Sequence, residues 1–351
     1  MNCGQTSEGV GWSVPHRDST RVCDGIGHFL DGSDQSINLA VNMLRAGRVV
    51  ALPTETVYGL AADASNRTAV ARVFAVKGRP VDHPLIVHLG QGANLAQWAK
   101  HIPDQALRLA EVFWPGPLTM IFERHSSVPD EVTGGLNTVA LRVPDHPVFQ
   151  KLLRLFDGGV AAPSANRFGC VSPTTAVDVW SSLGAAVDLI VDGGPCEIGI
   201  ESTIVAFEGD EAVILRPGGA SSEAIANVLG YRPRDPTPSS VRAPGMLASH
   251  YAPVTALELC TDTELAGVAL KLVANGMRVG ILSLGRTVVP GAAMVWDAGC
   301  DIGVFARSLY GMMRRADADA LDVLVVALPP DEGLGVAIRD RLYRAAYRPI
   351  L

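Results

Sequence analysis

The chain of 351 residues is long enough for two or three domains, and its apolar fraction of 48% is sufficient for sizeable cores. A charged fraction of 19% excludes a disordered chain, and a net charge of −7 argues against a broad basic face that binds nucleic acid. Six scattered cysteines without a CxxC pair argue against a zinc knuckle and a disulfide framework. We see no signal peptide and no apolar run of about 18 residues, so we expect cytoplasmic localisation without a membrane span.

The first part of the chain predicts a leader, a helix and a buried strand. Residues 1–33 are rich in glycine, serine, aspartate and threonine without a sustained hydrophobic period, so we predict a mobile leader. A helix begins near Ser33 and ends at Gly47. The apolar run of residues 49–52 is typical of a buried strand, which Pro53 ends because proline lacks a backbone donor.

Two polar segments follow this strand. The first is the loop Thr54-Glu55-Thr56-Val57-Tyr58-Gly59, at the carboxyl end of the strand, where open α/β sheets hold ligands. The second is Lys77-Gly78-Arg79-Pro80, at the end of the next helix. Lysine offers a phosphate a point charge and arginine offers it a bidentate fork. An equally weighted alternative to phosphate binding is that these two cations lie at a solvated helix end and complement the helix dipole.

The stretch up to residue 230 mixes strand pairs with crossover helices, which predicts a twisted mixed sheet with helices. Predicted strands are residues 85–89, 118–122, 138–143, 159–162, 189–192, 202–207 and 212–215. Predicted helices are residues 103–113, 147–156, 174–183 and 221–229. Two strands lead into further polar loops, Pro163-Ser164-Ala165-Asn166-Arg167 and Arg216-Pro217-Gly218-Gly219.

The remainder of the chain changes character twice. Residues 231–253 are dense in proline, which predicts a semi-rigid linker, although His250-Tyr251 is too chemically loaded for a mere spacer. From residue 254 to 351 strands alternate with helices, which predicts a small parallel, Rossmann-like α/β domain. We assign no nucleotide site to this domain, because it has neither a G-x-G-x-x-G motif nor a P-loop.

Four motifs occur in an order that resembles the threonylcarbamoyl-AMP synthases, a family with a YrdC-like catalytic domain. They are Pro53-Thr54-Glu55-Thr56-Val57-Tyr58-Gly59, Lys77-Gly78-Arg79, Ser164-Ala165-Asn166 and Arg216-Pro217-Gly218. The resemblance covers roughly residues 34–230, the predicted catalytic domain, and implies an open concave groove in its sheet. The linker and tail resemble the longer, two-domain branch. Leu247-Ala248-Ser249 departs from that branch, in which a basic or aromatic residue is usual at this place in the linker.

The resemblance implies an L-threonylcarbamoyladenylate synthase, a nucleotidyltransferase that makes threonylcarbamoyl-AMP and pyrophosphate from L-threonine, bicarbonate or CO2, and ATP. The product would pass to the machinery that transfers threonylcarbamoyl to tRNA. No residue stands out as a covalent nucleophile, which fits attack by the threonine amine on CO2 and then by the carbamate on phosphorus. Since no Asp/His set has metal-site spacing, Mg²⁺ would arrive with ATP.

The resemblance also implies site residues. Expected ATP ligands are Lys77, Arg79, Ser164, Asn166 and Arg216, of which Lys77 and Arg79 would be catalytic. Expected threonine ligands are Thr54, Tyr58, His88, Thr138, Arg142 and Ser202. We expect His250 and Tyr251 to belong to a lid.

Plainer interpretations exist for several of these residues. His88 lies in an apolar strand and could be a core histidine, and Thr138 and Ser202 could simply cap strands. Asn166 could be a turn cap, and Arg216 a charge at the edge of a hairpin.

Two other functions compete with the synthase. A carbamoyltransferase that forms carbamoyl-adenylate would need an accessory domain with metal-binding histidines, and the chain from residue 255 onward has no histidine. A non-catalytic module that binds double-stranded RNA is disfavoured by the acidic charge and by the presence of only four lysines among 29 basic residues. We therefore expect no stable binding of nucleic acid.

Overall fold

The computed structural model describes residues 29–209, 211–237, 241–247, 249–285 and 287–347. Within these ranges the chain forms an 11-stranded sheet with parallel and antiparallel pairs, and a separate 4-stranded parallel sheet. The predicted combination of a mixed sheet with a small parallel α/β domain is confirmed. No helix in the described ranges is both long and apolar enough to cross a membrane.

The larger sheet belongs to the part of the chain that precedes the linker. Its strands are β1 (Phe29–Asp31), β2 (Val50–Leu52), β3 (Gly59–Asp63), β4 (Ile86–His88), β5 (Ala99–Lys100), β6 (Leu118–Arg124), β7 (Thr138–Arg142), β8 (Val160–Ala161), β9 (Leu189–Asp192), β10 (Thr203–Glu208) and β11 (Glu211–Arg216). They lie in the order β1-β9-β2-β3-β8-β4-β7-β6-β10-β11, with β5 paired to β6. Neighbours that are distant in sequence bring the strand-end loops together.

Seven helices of the described chain accompany this sheet. They are α1 (Asp34–Arg45), α2 (Arg67–Lys77), α3 (Asp104–Phe113), α4 (Asp130–Thr133), α5 (Pro147–Phe156), α6 (Ala176–Leu183) and α7 (Ser222–Leu229). Helix α2 matters most for the site. The side chain of Asn66 caps its first turn, and Gly78 ends it in the left-handed conformation with φ of 62°. This end of α2 places Lys77 and Arg79 at the sheet.

The leader is shorter than predicted. We expected residues 1–33 to be mobile, but Phe29–Asp31 forms β1, which pairs in parallel with β9 at the sheet edge. Three residues carry no detectable hydrophobic period, and the main-chain pairing that orders them comes from residues far along the sequence. Residues 1–28 of the predicted leader lie outside the described residues.

The smaller domain has a parallel sheet with three helices. Its strands are β12 (Ala256–Cys260), β13 (Val279–Ser283), β14 (Met294–Asp297) and β15 (Val323–Ala327), in the order β12-β15-β13-β14. Its helices are α8 (Leu265–Ala274), α9 (Ile302–Ala318) and α10 (Leu334–Ala346). Helices α9 and α10 share one hydrophobic cluster with Val57, Val171 and Ile200 of the larger domain. Burial of this shared apolar surface holds the two domains together.

The linker packs along the larger domain instead of crossing solvent. Near its start, Arg234 forms a β-bridge with Val213 of β11. Farther on, Ala243 is buried on the face of the sheet formed by residues such as Ile86 and Ile204. The predicted concave groove is therefore covered by the linker over part of its length.

Candidate active site

A cavity of about 50 Å³ lies between the loops of the larger sheet and the linker. Most of the predicted site residues line it: Thr54, Arg79, His88, Arg142, Ser164, Ser202, Arg216, His250 and Tyr251. The linker residues Pro244, Gly245, His250 and Tyr251 line one side of this cavity and narrow it. Movement of the linker away from the sheet would enlarge the space that is open to a ligand.

The loop after β2 forms a tight turn around one hydroxyl group. The Oγ1 atom of Thr54 accepts hydrogen bonds from the backbone nitrogens of Thr56 and Val57, both at 3.1 Å, and donates to the Val57 carbonyl at 2.7 Å. Thr54 thus builds the turn, and the turn presents Thr56 to the cavity. The ligands that the resemblance implies include Thr54 but not Thr56, although both threonines lie in this loop.

This loop is joined to the loop after β8 by main-chain contacts. Gly59 forms a β-bridge with Ser164, and the backbone nitrogen of Ala165 donates to the Tyr58 carbonyl at 2.8 Å. The Lys77 ammonium donates to the carbonyls of Ser164 and Asn166 at 2.5 and 2.6 Å. Lys77 therefore lies behind the Ser164 loop and supports it. Burial, together with nearby Arg79, lowers the pKa of Lys77 well below its ordinary value.

Two arginines bring positive charge to the cavity wall. Arg79 donates to the Pro84 carbonyl at 3.0 Å, and its Nε atom has no hydrogen-bond partner in the described chain. Arg216 donates to the carbonyls of Ser202 and Pro244 at 2.8 and 3.1 Å. Within the described residues neither arginine forms a salt bridge with a carboxylate. Burial lowers the pKa of Arg79 to about 10, so the group remains a cation at neutral pH.

A third arginine is neutralised within the same domain. Arg142, at the end of β7, donates to Glu55 at 2.6 Å, and the other oxygen of Glu55 accepts from the backbone nitrogen of Asp145. His88 pairs with Arg142 across β4 and β7 and stacks on Phe149. Burial, with the charge of Arg142, lowers the pKa of His88 to about 3, so the imidazole is neutral.

Ser202 lies beside these cations at the start of β10. Its hydroxyl lies 2.8 Å from the Thr119 hydroxyl and accepts from Arg216 at 3.1 Å. Gly218 permits this approach, because a Cβ atom there would lie 2.3 Å from the carbonyl carbon of Ser202. In the motif Arg216-Pro217-Gly218, the arginine thus bonds Ser202, and the glycine leaves room for the main chain of Ser202.

Four predicted ligands do not line the cavity. Lys77 supports the Ser164 loop from behind it, and the side-chain nitrogen of Asn166 donates to the carbonyls of Arg167 and Cys170, both at 2.8 Å. The Tyr58 hydroxyl donates to the Gly194 carbonyl at 2.8 Å, on the far side of the loop. Thr138 shares a sheet face with Arg142 but lies four residues, about 13 Å, away along β7. The sequence indicated the segments in which these four residues lie, but it did not indicate the direction of each side chain.

The cavity also contains a glutamate that we did not predict. Glu201 accepts from the Ser172 hydroxyl at 2.7 Å, from the Tyr310 hydroxyl at 2.8 Å, and from Arg341 at 2.8 Å. Burial alone would raise the pKa of Glu201, but Arg341 and Arg216 outweigh it and hold the value at about 2. The sequence signal available for Glu201 was its position between the apolar Ile200 and the polar Ser202, directly before a predicted buried strand.

The linker closes the other side of the cavity. His250 contacts the Phe168 ring edge-on, and its own ring centroid lies 4.1 Å from that of Tyr251. Burial, with Lys77, Arg79 and Arg216 among the charges nearby, lowers the pKa of His250 to about 3. Tyr251 has a φ of 62°, which is rare for a residue with a large side chain. The predicted lid residues therefore contact the site in a conformation with local strain.

The fold and the site together define a two-domain α/β protein with a buried cationic cavity beneath a linker. Comparison with known proteins agrees with this class. A family model described as "Telomere recombination", of the Sua5, YciO and YrdC proteins, matches residues 42–218. A second model, described as "Threonylcarbamoyl-AMP synthase, C-terminal domain", matches residues 220–347.

Relatives and solved structures share both domains. The chain is 39% identical to the threonylcarbamoyl-AMP synthase of Pyrococcus abyssi, over 90% of this chain and 95% of the relative. It is also 39% identical to that of Bacillus subtilis, over 90% and 94%. The crystal structure of P. abyssi Sua5 complexed with L-threonine is 37% identical, covers 91% of this chain and 97% of its own, and superposes with a TM-score of 0.84. This chain belongs to the threonylcarbamoyl-AMP synthase family.

Proposed function

We propose that this protein is an L-threonylcarbamoyladenylate synthase, a nucleotidyltransferase that joins L-threonine, bicarbonate or CO2, and ATP into threonylcarbamoyl-AMP and pyrophosphate. One observation carries the proposal. Arg79 and Arg216 are buried in the cavity wall and form no salt bridge among the described residues, although the nearby Glu201 offsets part of the charge of Arg216. A buried charge is costly unless it is paired, so these cations suit an anionic substrate.

A triphosphate supplies the missing negative charge. The guanidinium of Arg79 retains an unused Nε donor, and both arginines can bond phosphate oxygens with forked geometry. When the linker opens, these donors gain access to a nucleotide. In the reaction they would stabilise charge that develops on the α-phosphate and on the departing pyrophosphate.

The same cavity also contains groups that suit an amino acid. Neutral His88 has an unpartnered Nδ1 atom, and hydroxyl groups of Thr56 and Ser202 lie nearby in the wall. Such groups can bond the amine and hydroxyl of L-threonine. Arg142 can contact its carboxylate while it remains paired with Glu55. The relative that was solved with L-threonine supports this substrate.

The chemistry requires positioning more than covalent catalysis. The threonine amine attacks CO2 and loses a proton, which forms the carbamate. A carbamate oxygen then attacks the α-phosphorus, the bond to the bridging oxygen breaks, and pyrophosphate leaves with the electron pair. Glu201 in the cavity wall and Glu55, which bonds the cavity residue Arg142, are both engaged by arginines. We therefore infer that Mg²⁺ enters with ATP and neutralises phosphate charge when bound. We also propose that the adenylate then passes, in the cytoplasm, to a tRNA-modifying transferase.

Release of pyrophosphate tests the proposal. We expect release from ATP only when L-threonine and bicarbonate are both present, because the attacking group contains both. Serine should be a poor substitute, since it lacks the methyl group that the pocket would bury. Equal release with serine or without bicarbonate would refute the assignment. Carbamoyl phosphate in place of threonine and bicarbonate tests the carbamoyltransferase, and a salt-dependent shift of double-stranded RNA tests the RNA-binding module.

A further inference from the structure

A residue of the smaller domain reaches the wall of the candidate active site. Arg341 lies on α10 and is fully buried, although arginines are rarely buried to that extent. Its Nε atom donates to the cavity residue Glu201 at 2.8 Å, across 140 positions of sequence. Its guanidinium also lies over the Tyr251 ring, 5.1 Å from the centroid. One side chain therefore contacts both the sheet side and the linker side of the cavity.

Helix α10 holds the linker at further points close to Tyr251. Arg344 donates to the Leu247 carbonyl at 2.5 Å, and the backbone nitrogen of His250 donates to the Arg344 carbonyl at 3.3 Å. The Ser249 hydroxyl donates to the Tyr347 carbonyl at 3.4 Å. The linker segment that departs from the family pattern is thus attached to the smaller domain.

The closed linker leaves several buried polar atoms without partners in the described chain. They are the Tyr251 hydroxyl, His250 Nδ1, Arg79 Nε and Arg341 Nη2. Each unmade hydrogen bond disfavours the closed state, and so does the left-handed backbone of Tyr251. The closed linker consequently depends on contacts that compensate for these costs. One of these compensating contacts lies at the cavity itself. There Arg341 stacks on Tyr251, and its hydrogen bond to Glu201 fixes the position of the guanidinium.

We propose that Arg341 is a positioning residue for the reaction. It holds Tyr251 over the cavity from the smaller domain, so that the linker excludes water while the adenylate forms. The proposal rests on the proposed function for its turnover prediction, but the closing of the linker can be measured separately. It also gives the smaller domain a role in catalysis without a nucleotide site of its own.

The main test replaces Arg341→Lys, which retains a positive charge for Glu201 but removes the planar group that stacks on Tyr251. The matched control is Arg339→Lys, because Arg339 lies on the same helix and stacks on Tyr343, away from the linker. We expect Arg341→Lys to lower kcat for pyrophosphate release about tenfold or more, with KM for ATP nearly unchanged. The control variant should retain the kcat of the unaltered protein.

Trypsin cleavage after the exposed Arg242 provides a readout of linker closure that is independent of turnover. ATP with L-threonine should slow this cleavage in the unaltered protein and in Arg339→Lys, but much less in Arg341→Lys. Unchanged kcat together with unchanged protection in Arg341→Lys would overturn the proposal. If the unaltered protein releases no pyrophosphate, the proposed function fails, and the cleavage rates with and without ATP still decide the role of Arg341.

A double variant separates positioning from simple charge neutralisation. Glu201→Gln combined with Arg341→Met removes both charges of this pair, and Asp340, the other carboxylate bonded to Arg341, retains its ion pair with Arg344. If Arg341 only neutralises Glu201, this variant should recover full ligand protection of the linker, and that result would overturn the proposal. We expect protection to remain low, because the contact with Tyr251 is still missing. This arm also decides the question if Arg341→Lys does not fold.

Discussion

The two walls of the cavity are built differently. The sheet wall is supported by bonds within one domain, such as the Thr54 turn and the buried pair of Arg142 with Glu55. The linker wall contains His250 and Tyr251, and the His250 Nδ1 atom and the Tyr251 hydroxyl have no hydrogen-bond partner in the described chain. This wall is held in place by Arg341 on α10 of the other domain. Apart from Glu201, which accepts from Tyr310 and Arg341 of the smaller domain, the first wall is therefore complete once the larger domain folds. The second wall is only weakly favoured in its closed position.

This difference separates binding from gating. Each unsatisfied buried polar group costs about 1–3 kcal/mol, so the linker wall can open at modest cost while the sheet wall retains its geometry. Substitutions in the sheet wall should remove binding and charge stabilisation. Substitutions in the linker wall should instead alter closure, with smaller effects on affinity.

The largest effect is expected from Arg79→Ala in the sheet wall. Loss of a preorganised cation should lower the rate of pyrophosphate release by about 10²-fold to 10³-fold. Arg67→Ala, on an exposed arginine at the start of the same helix, is the matched control and should be active. Thermal unfolding should show both variants folded. Normal activity in Arg79→Ala would mean that this arginine serves only to end the helix.

An intermediate effect is expected from Gly245→Ala in the linker wall. Gly245 has a φ of 80°, and a Cβ atom there would lie 2.6 Å from the Tyr251 hydroxyl and 2.9 Å from Arg216. The linker should no longer close fully, so kcat should fall by about tenfold to 10²-fold. Gly267→Ala is the control, since that glycine lies in α8 with no atom within 4 Å of the added carbon. Equal kcat in the two variants would argue against a closing linker.

The smallest effect is expected from pH. The pKa of His250 is about 3 in the closed linker and would return towards its ordinary value of 6.5 when the linker opens. The open state therefore binds more protons between these values, and closure weakens as pH falls through 6.5. Between pH 7.5 and pH 6.0 we expect the open fraction, and tryptic cleavage after Arg242, to rise about fourfold. His250→Gln should remove this dependence; an unchanged slope would assign it to another group.

The sequence predicted the elements of the sheet wall better than their side-chain directions. Apolar runs ended by proline located the loops of Thr54 and Ser164, because strand length and burial are local properties. The choice between Thr54 and Thr56 depended on the hydrogen bonds of one turn, which residue type does not determine. Likewise, Lys77 was placed near the site, but its direction behind the Ser164 loop follows from contacts with residues far along the chain.

The linker wall was less predictable. Proline density indicated a semi-rigid linker, and the pair His250-Tyr251 indicated chemistry, since both signals are local. The contact of Arg341 with Tyr251 and Glu201 had no local signal. The alternation of strands and helices after residue 254 predicted helices in this domain, but it could not show which distant groups the buried face of α10 meets. Contacts between two domains depend on how their folded surfaces pack, and this packing is not encoded in any short stretch of sequence.

The separation of Glu201 and Arg341 by 140 residues has a consequence during protein synthesis. At a rate of about 5–20 residues per second, the ribosome needs roughly 7–30 s to proceed from the first residue to the second. During this interval the larger domain can fold with its cations in place but without the helix that holds the linker. A growing chain would therefore bind nucleotide before it could turn it over efficiently. Full activity would then be reached only when α10 docks, which would couple efficient ATP consumption to completion of the second domain.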